Sequence, residues 1–400
     1  MTLQQCLTAL GCTKCPQEWE GWLEEAQQDA RTLAPCYFKK DFYQSLQDRF
    51  GLLKGELPYY LEALEETVTD EALCLYLALL CRTLTLEWDS RKAALHLTEL
   101  PKAKDSLGFR MVWALAMCTQ AEGCYRLLKQ RGLEEDLIRR VLALPAGSID
   151  LYRLKNQGKT GFDLLSWFQL AVDGRLFPIG GLEFEIRTKF HKNLVLLENA
   201  NHQRQLVANG RMAHKSGMPL GSRGFEDPQD SFTAQFTQTQ DAYLAHPVVQ
   251  GRIVPEITVY PKSQWRILIQ SQEPVMDVHI PLGAGLTPEA VDQSMAAAQE
   301  FFRRYYPEYS YKALCCSSWL MDPTLTKLLG RDCNISTFQR RFEPAYLKSD
   351  GSSVLHFVMH DRTLIDRPQD MPENTRLFRE LKKHYLSGSI INDAFGYCIL

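Results

Sequence analysis

The stretch Val278–Ala290, "VHIPLGAGLTPEA", decides how the chain is read. Its first residues continue a run from Val275 in which alternate positions share a face, the pattern of a strand. Gly283 and Gly285 then mark a tight loop. Thr287 offers a hydroxyl to cap a helix, and Pro288 suits the first helical position. Val291, Met295, Ala298, Phe302 and Tyr305 follow at helical spacing until Pro307 stops the run. A strand–glycine loop–helix junction turns the amides of its loop and first helical turn outward, where they suit a phosphate or pyrophosphate. The bland alternative is a plain turn, and this loop has only G-x-G, short of the G-x-G-x-x-G of a dinucleotide site.

Upstream, the period changes once. Up to about residue 172 the apolar spacing is helical. "PQEWEGWLEEAQQDARTL" places Trp19, Trp22, Leu23, Ala26, Ala30 and Leu33 on one face. "TDEALCLYLALLC" is apolar nearly all round, so it belongs at the centre of its domain, with Thr69 as its expected cap. "GLEEDLIRRVLAL" aligns Leu133, Leu137, Val141 and Leu144, and Gly174 is an expected helix stop. After Gly174 the period is two. "LEFEIRTKF" alternates Leu182, Phe184 and Ile186 against Glu183, Glu185 and Arg187. "KNLVLLEN", "RQLVANGRM", "GRIVPEITVYP" and "QWRILIQ" also read as strands, an antiparallel meander. Downstream of the quoted helix come a strand, "YKALCCSSWLM", and a short helix, "DPTLTKLL". Two strands are expected next, "NISTFQRRFEPAY" and "SSVLHFVMHD", then an amphipathic helix "TRLFRELKKHYL" and an apolar end. The expected fold class is α+β: an all-helical domain over 1–172 and a mixed-sheet domain with flanking helices over 173–400.

Composition sets limits. The 400 residues are 45% hydrophobic and 23% charged with net charge −3, so no basic surface points to nucleic acid. The longest apolar run, 72–81, is too short to span a bilayer, so no membrane association is expected. The start, "MTLQQCLTALGCTKC", has no basic segment leading into an apolar core, so no secretory signal is expected. Twelve irregularly spaced cysteines fit reduced thiols in the cytoplasm. "CTKC" is a lone C-x-x-C without a second pair at zinc spacing, and no metal is expected.

Three groups of residues could carry chemistry. The loop Leu282, Gly283, Ala284, Gly285, Leu286 and Thr287 is the candidate ligand cradle. In "VMDVHIP", Asp277 and His279 share one face, and a carboxylate beside an imidazole can orient it as a general base. The bland alternative is a surface ion pair. In "CCSSWLMD", Cys316 and Ser318 share a face and could donate a proton or act as a nucleophile, though no G-x-S-x-G elbow is present. The alternative for them is small residues buried under a helix. "NQGKTG" lacks the upstream glycine of a P-loop, and His356 and His360 have no further ligand at metal spacing.

The order of elements from residue 175 resembles the GNAT acyltransferase fold. The wording is similar to bacterial acyltransferase-domain proteins with a helical N-terminal domain and a GNAT-like C-terminal domain. "GGLEFE" (180–185), "DVHIPLGAGLTPEAVDQSMAAAQEFF" (277–302), "CSSWLMDPTL" (316–325) and "NISTFQRRF" (334–342) carry the resemblance, which spans most of 175–365. It implies acyl-CoA or acetyl-CoA as co-substrate, with the pyrophosphate on residues 282–287 and the pantetheine between splayed strands. It also implies transfer to an amine or hydroxyl of a small-molecule acceptor by direct attack, with His279 as base, Asp277 orienting it, and Cys316 or Ser318 protonating the leaving thiolate. Where the GNAT signature has Arg or Gln three residues before the first glycine, this chain has Ile280. Two other readings stand beside this one: a Cys316–His279 hydrolase, and a non-catalytic module that binds a CoA-type ligand or a partner.

Overall fold

The computed structural model describes all residues except 54, 99–104, 163–164, 192 and 349, and, within helices and strands, leaves aside the side chains of 165, 166 and 346. It divides into two compact units, Met1–Phe177 and Pro178–Leu400.

The first unit is helical. Its centre is the helix Glu71–Thr83, which is buried nearly all round, as an apolar circumference requires. The cap is Asp70, not Thr69: the Asp70 carboxylate accepts from the amides of Ala72 (2.9 Å) and Leu73 (3.1 Å). Thr69 ends the preceding helix instead and turns its hydroxyl back to the Glu65 and Glu66 carbonyls. Trp19 packs edge-on to Tyr76, and its Nε1 donates to Thr83 at 2.9 Å, so a large buried ring keeps its polar atom satisfied. Of the stripe expected on the Trp19 helix, Glu18–Thr32, Trp19 and Ala26 are buried and the rest half-buried. The last helix ends at Val172, and Gly174 takes a left-handed φ of 62° just beyond it.

The strands are β1 (Leu176–Ile179), which begins two residues before the second unit, and, within that unit, β2 (Leu182–Arg187), β3 (Leu194–Asn199), β4 (Arg204–Ala208), β5 (Met212–His214), β6 (Ser231–Thr233), β7 (Phe236–Gln238), β8 (Ala242–Val249), β9 (Arg252–Ile253), β10 (Thr258–Pro261), β11 (Trp265–Ile269), β12 (Val275–His279), β13 (Ala313–Ser318), β14 (Glu343–Lys348) and β15 (Asp393–Ile399). The meander closes into its own sheet, β10-β8-β4-β3-β11, with β7 and β9 on β8. The other large sheet runs β1-β2-β12-β13-β15-β14. There β12 and β13 are parallel, while β2–β12, β13–β15 and β14–β15 are antiparallel. One core joins the two sheets: Leu194, Leu196, Leu206 and Ala208 pack with Val275, Ala313, Cys315, Phe395 and Tyr397.

Two expected strands are not strands over their length. "NISTFQRRFEPAY" starts as a helix, Asn334–Gln339, capped by Cys333, and only then becomes β14. "SSVLHFVMHD" forms a wide helical turn, Leu355–Met359, closed by His360 at φ 60°. The position beside β13 is taken by β15, the apolar end of the chain, which pairs on both sides. Pro255 divides the expected "GRIVPEITVYP" strand into β9 and β10, because proline has no amide for the ladder.

Candidate active site

Antiparallel pairing sets Asp277 opposite Glu185 and His279 opposite Glu183. Directly opposed residues share a face, so β2 and β12 together place Glu185, Arg187, Asp277 and His279 side by side. Along β12 this face grades outward: Val275 lies in the core, Asp277 is buried, and His279 is half-buried.

The partners differ from the sequence expectation. His279 Nε2 lies 2.9 Å from Glu185 Oε2, so Glu185 is the carboxylate that holds the imidazole. Asp277 is instead engaged by Arg187, whose Nη1 donates to its Oδ2. Burial pushes the Asp277 carboxyl upward, and the Arg187 guanidinium opposes that shift. Its other oxygen, Oδ1, is buried and meets no hydrogen-bond donor. Tyr309 locks the start of this strand pair: its hydroxyl donates to the Val275 carbonyl and accepts from the Arg187 amide at 3.1 Å.

Cys316 and Ser318 do not join this group. Parallel pairing sets Asp277 opposite Cys315, so Cys315 and Ser317 share the His279 face. Cys316 and Ser318 point through the opposite face. Burial pushes the Cys316 thiol far up, away from a thiolate. The Ser318 hydroxyl caps the short turn Trp319–Met321, accepting from the Leu320 amide at 3.1 Å. The segment "SSWLMDPTL" is a structural latch as well: Asp322 accepts from Asn392 and Thr324, and Gln339 Nε2 donates to the Leu320 and Asp322 carbonyls.

The two middle strands part at this site. Among the described residues, β12 bridges β13 only at Met276–Leu314 and Asp277–Cys315. Beyond that, Val278 and His279 pair with β2 alone, and Cys316–Ser318 pair with β15 alone. No ladder joins Val278 and His279 to Cys316–Ser318, so these facing strand edges lack a neighbouring strand there.

The glycine loop follows directly on the unpaired end of β12. The Ala284 amide closes a turn onto the Pro281 carbonyl at 3.1 Å, and Gly283 occupies it with φ 79°, where only glycine is unstrained. Gly285 plays a different part: a Cβ there would meet nothing within 4 Å, so its bareness leaves open space above the loop. Thr287 caps the helix Pro288–Tyr305 as expected, accepting from the Ala290 amide. Two contacts fix this helix. Ser294 accepts from the Gly181 amide at 2.9 Å, and a Cβ on Gly180 would sit 2.2 Å from its hydroxyl, which explains the glycine at 180. Arg341 donates to the Pro288 carbonyl (3.0 Å) and to Asp292 (2.7 Å).

A model of the family described as "GNAT-like C-terminal domain" matches residues 176–398, more than half of the chain. The chain belongs to that family. Solved structures share the fold of the whole chain. An acyltransferase in complex with decanoyl-CoA and teicoplanin superposes with a TM-score of 0.63 at 19% identity, covering 100% of this chain and 100% of its own. A variant acyltransferase in complex with octanoyl-CoA gives 0.64 at 19% with the same coverage. Among curated proteins no relative matches. The GNAT-like chain has no helix, among the described residues, long and apolar enough to cross a membrane.

Proposed function

We propose that the protein is an acyl-CoA-dependent acyltransferase that moves an acyl group to an amine, or less readily a hydroxyl, of a small-molecule acceptor. The parting of β12 from β13 above an open glycine loop carries this reading. Family membership and the shared fold with acyltransferases bound to acyl-CoA support it. Residues 282–287 would hold the pyrophosphate through loop amides and the helix N-terminus. The pantetheine would extend along the open strand edges and bring the thioester carbonyl to the His279 end.

His279 would take the proton from the acceptor as its nitrogen or oxygen attacks the carbonyl. Glu185 would hold the imidazole in place through its contact with Nε2, leaving the other ring nitrogen to take the proton. Amides on the open edge of β12 would steady the developing oxyanion. The C–S bond then breaks, and the thiolate of CoA leaves with the proton returned by His279 or water. Cys316 and Ser318 have no part in this sequence, and the same geometry argues against a Cys316–His279 hydrolase. All twelve cysteines are free, which supports a reducing, cytoplasmic setting.

A non-catalytic CoA-binding module is the second reading, favoured by Ile280 in place of the signature Arg or Gln. A thiol-release assay with octanoyl-CoA and a panel of amines separates the two. Turnover that is lost in His279→Ala, with CoA affinity kept, supports the enzyme. Acyl-CoA binding without release of CoA for any acceptor supports the module.

A further inference from the structure

We propose that Glu185, Asp277 and His279 form a binding site for one divalent first-row transition ion. One ligand atom from each residue lies within 4.8 Å of the other two. All three stand on alternate rungs of one face of β2 and β12, a rigid base for a coordination site. The independent observation is Asp277 itself. Its side chain is almost wholly buried, yet Oδ1 has no donor, and a buried carboxylate oxygen left so is costly. The other oxygen is held by Arg187, the kind of outer contact that orients a ligating carboxylate.

The donor set names the class of ion. One imidazole with two carboxylates suits zinc, cobalt, manganese or ferrous iron, whereas calcium takes an all-oxygen shell. With metal–ligand bonds of about 2.0–2.2 Å, ligand atoms around a tetrahedral ion stand roughly 3.3–3.6 Å apart. Nε2 of His279 and Oε2 of Glu185, now 2.9 Å apart, would open by a few tenths of an ångström to admit it. Water would complete the shell on the half-buried His279 side. An ion here would take the Nε2 that Glu185 now holds and displace the contact that orients the base, so it would slow acyl transfer; that consequence alone rests on the acyltransferase reading.

The test is a cobalt titration of the metal-stripped full chain, without acyl-CoA, followed by visible absorption and calorimetry. The expected result is one site per chain with nitrogen–oxygen ligation and no sulfur charge-transfer band. Glu185→Gln and His279→Ala should each weaken it about tenfold or more. Both side chains are partly exposed, so these variants should fold, which melting curves check. His202→Ala, at another imidazole–carboxylate pair, should bind like the parent protein. No saturable site, a sulfur-ligated spectrum, or unchanged affinity in both Glu185→Gln and His279→Ala would overturn the proposal. Because binding is read directly, a protein that binds cobalt but transfers no acyl group leaves this site standing and removes only the enzyme reading.

Discussion

The two edges of β12 are unlike. Toward β2 every residue from Val275 to His279 has a partner; toward β13 only Met276 and Asp277 do. A central strand gains most from two full ladders, so an edge left open in the middle of a sheet calls for a reason. On the proposed reading, a ligand supplies the missing hydrogen bonds. The closed edge does the opposite work: it brings Glu185 and Arg187 from β2 against His279 and Asp277 and holds them fixed. On the proposed reading, one strand joins a place to bind with a place to react.

That contrast can be broken from either side. The largest effect is expected on the closed edge. His279→Ala should lower kcat about 10²–10⁴-fold while CoA affinity stays near the parent value, measured by thiol release and calorimetry. A smaller fall, on the order of tenfold, is expected for Glu185→Gln, appearing in kcat with KM little changed. Equal falls for Asp277→Asn and Glu185→Gln would show that the two carboxylates act as a unit and would blur the assignment of Glu185. Gly180→Ala tests the support beneath the loop. Its Cβ would press on Ser294 at φ 64°, so a loss of about 1–3 kcal/mol is expected in urea unfolding. The smallest effect belongs to the opposite face. Cys316→Ala should cost about 1 kcal/mol of stability and leave turnover near the parent value. In the native protein the Cys316 thiol, raised by burial, should resist iodoacetamide at neutral pH while the exposed Cys36 reacts, as peptide mapping would show.

Much of this was legible in the residues. The quoted junction gave strand, loop and helix, with Thr287 as cap and Gly283 as turn, because each has a strong local preference. The shared face of Asp277 and His279 follows from the two-residue period of a strand. Their partners do not, because opposition across strands depends on register. Glu185 and Arg187 were visible as charges alternating with apolar residues on β2, but nothing in "LEFEIR" says which strand it faces. For the same reason Cys316 and Ser318 were expected beside His279: a shift of one residue between parallel strands exchanges their faces. "SSVLHFVMHD" reads as a strand by its β-branched and aromatic content, yet β15, from the end of the chain, fills the place beside β13. Such a pairing over long sequence separation leaves no local trace.

The most direct test of the central claim is a calorimetric titration of the parent protein and of Gly285→Val with octanoyl-CoA. The space above Gly285 is open, so valine there disturbs the protein little and obstructs only what lies against the loop. Binding to the parent, and loss of about tenfold or more in Gly285→Val with an unchanged melting temperature, is the predicted result. Equal binding by the two proteins, or no binding by either, would contradict it and leave residues 282–287 as a structural turn.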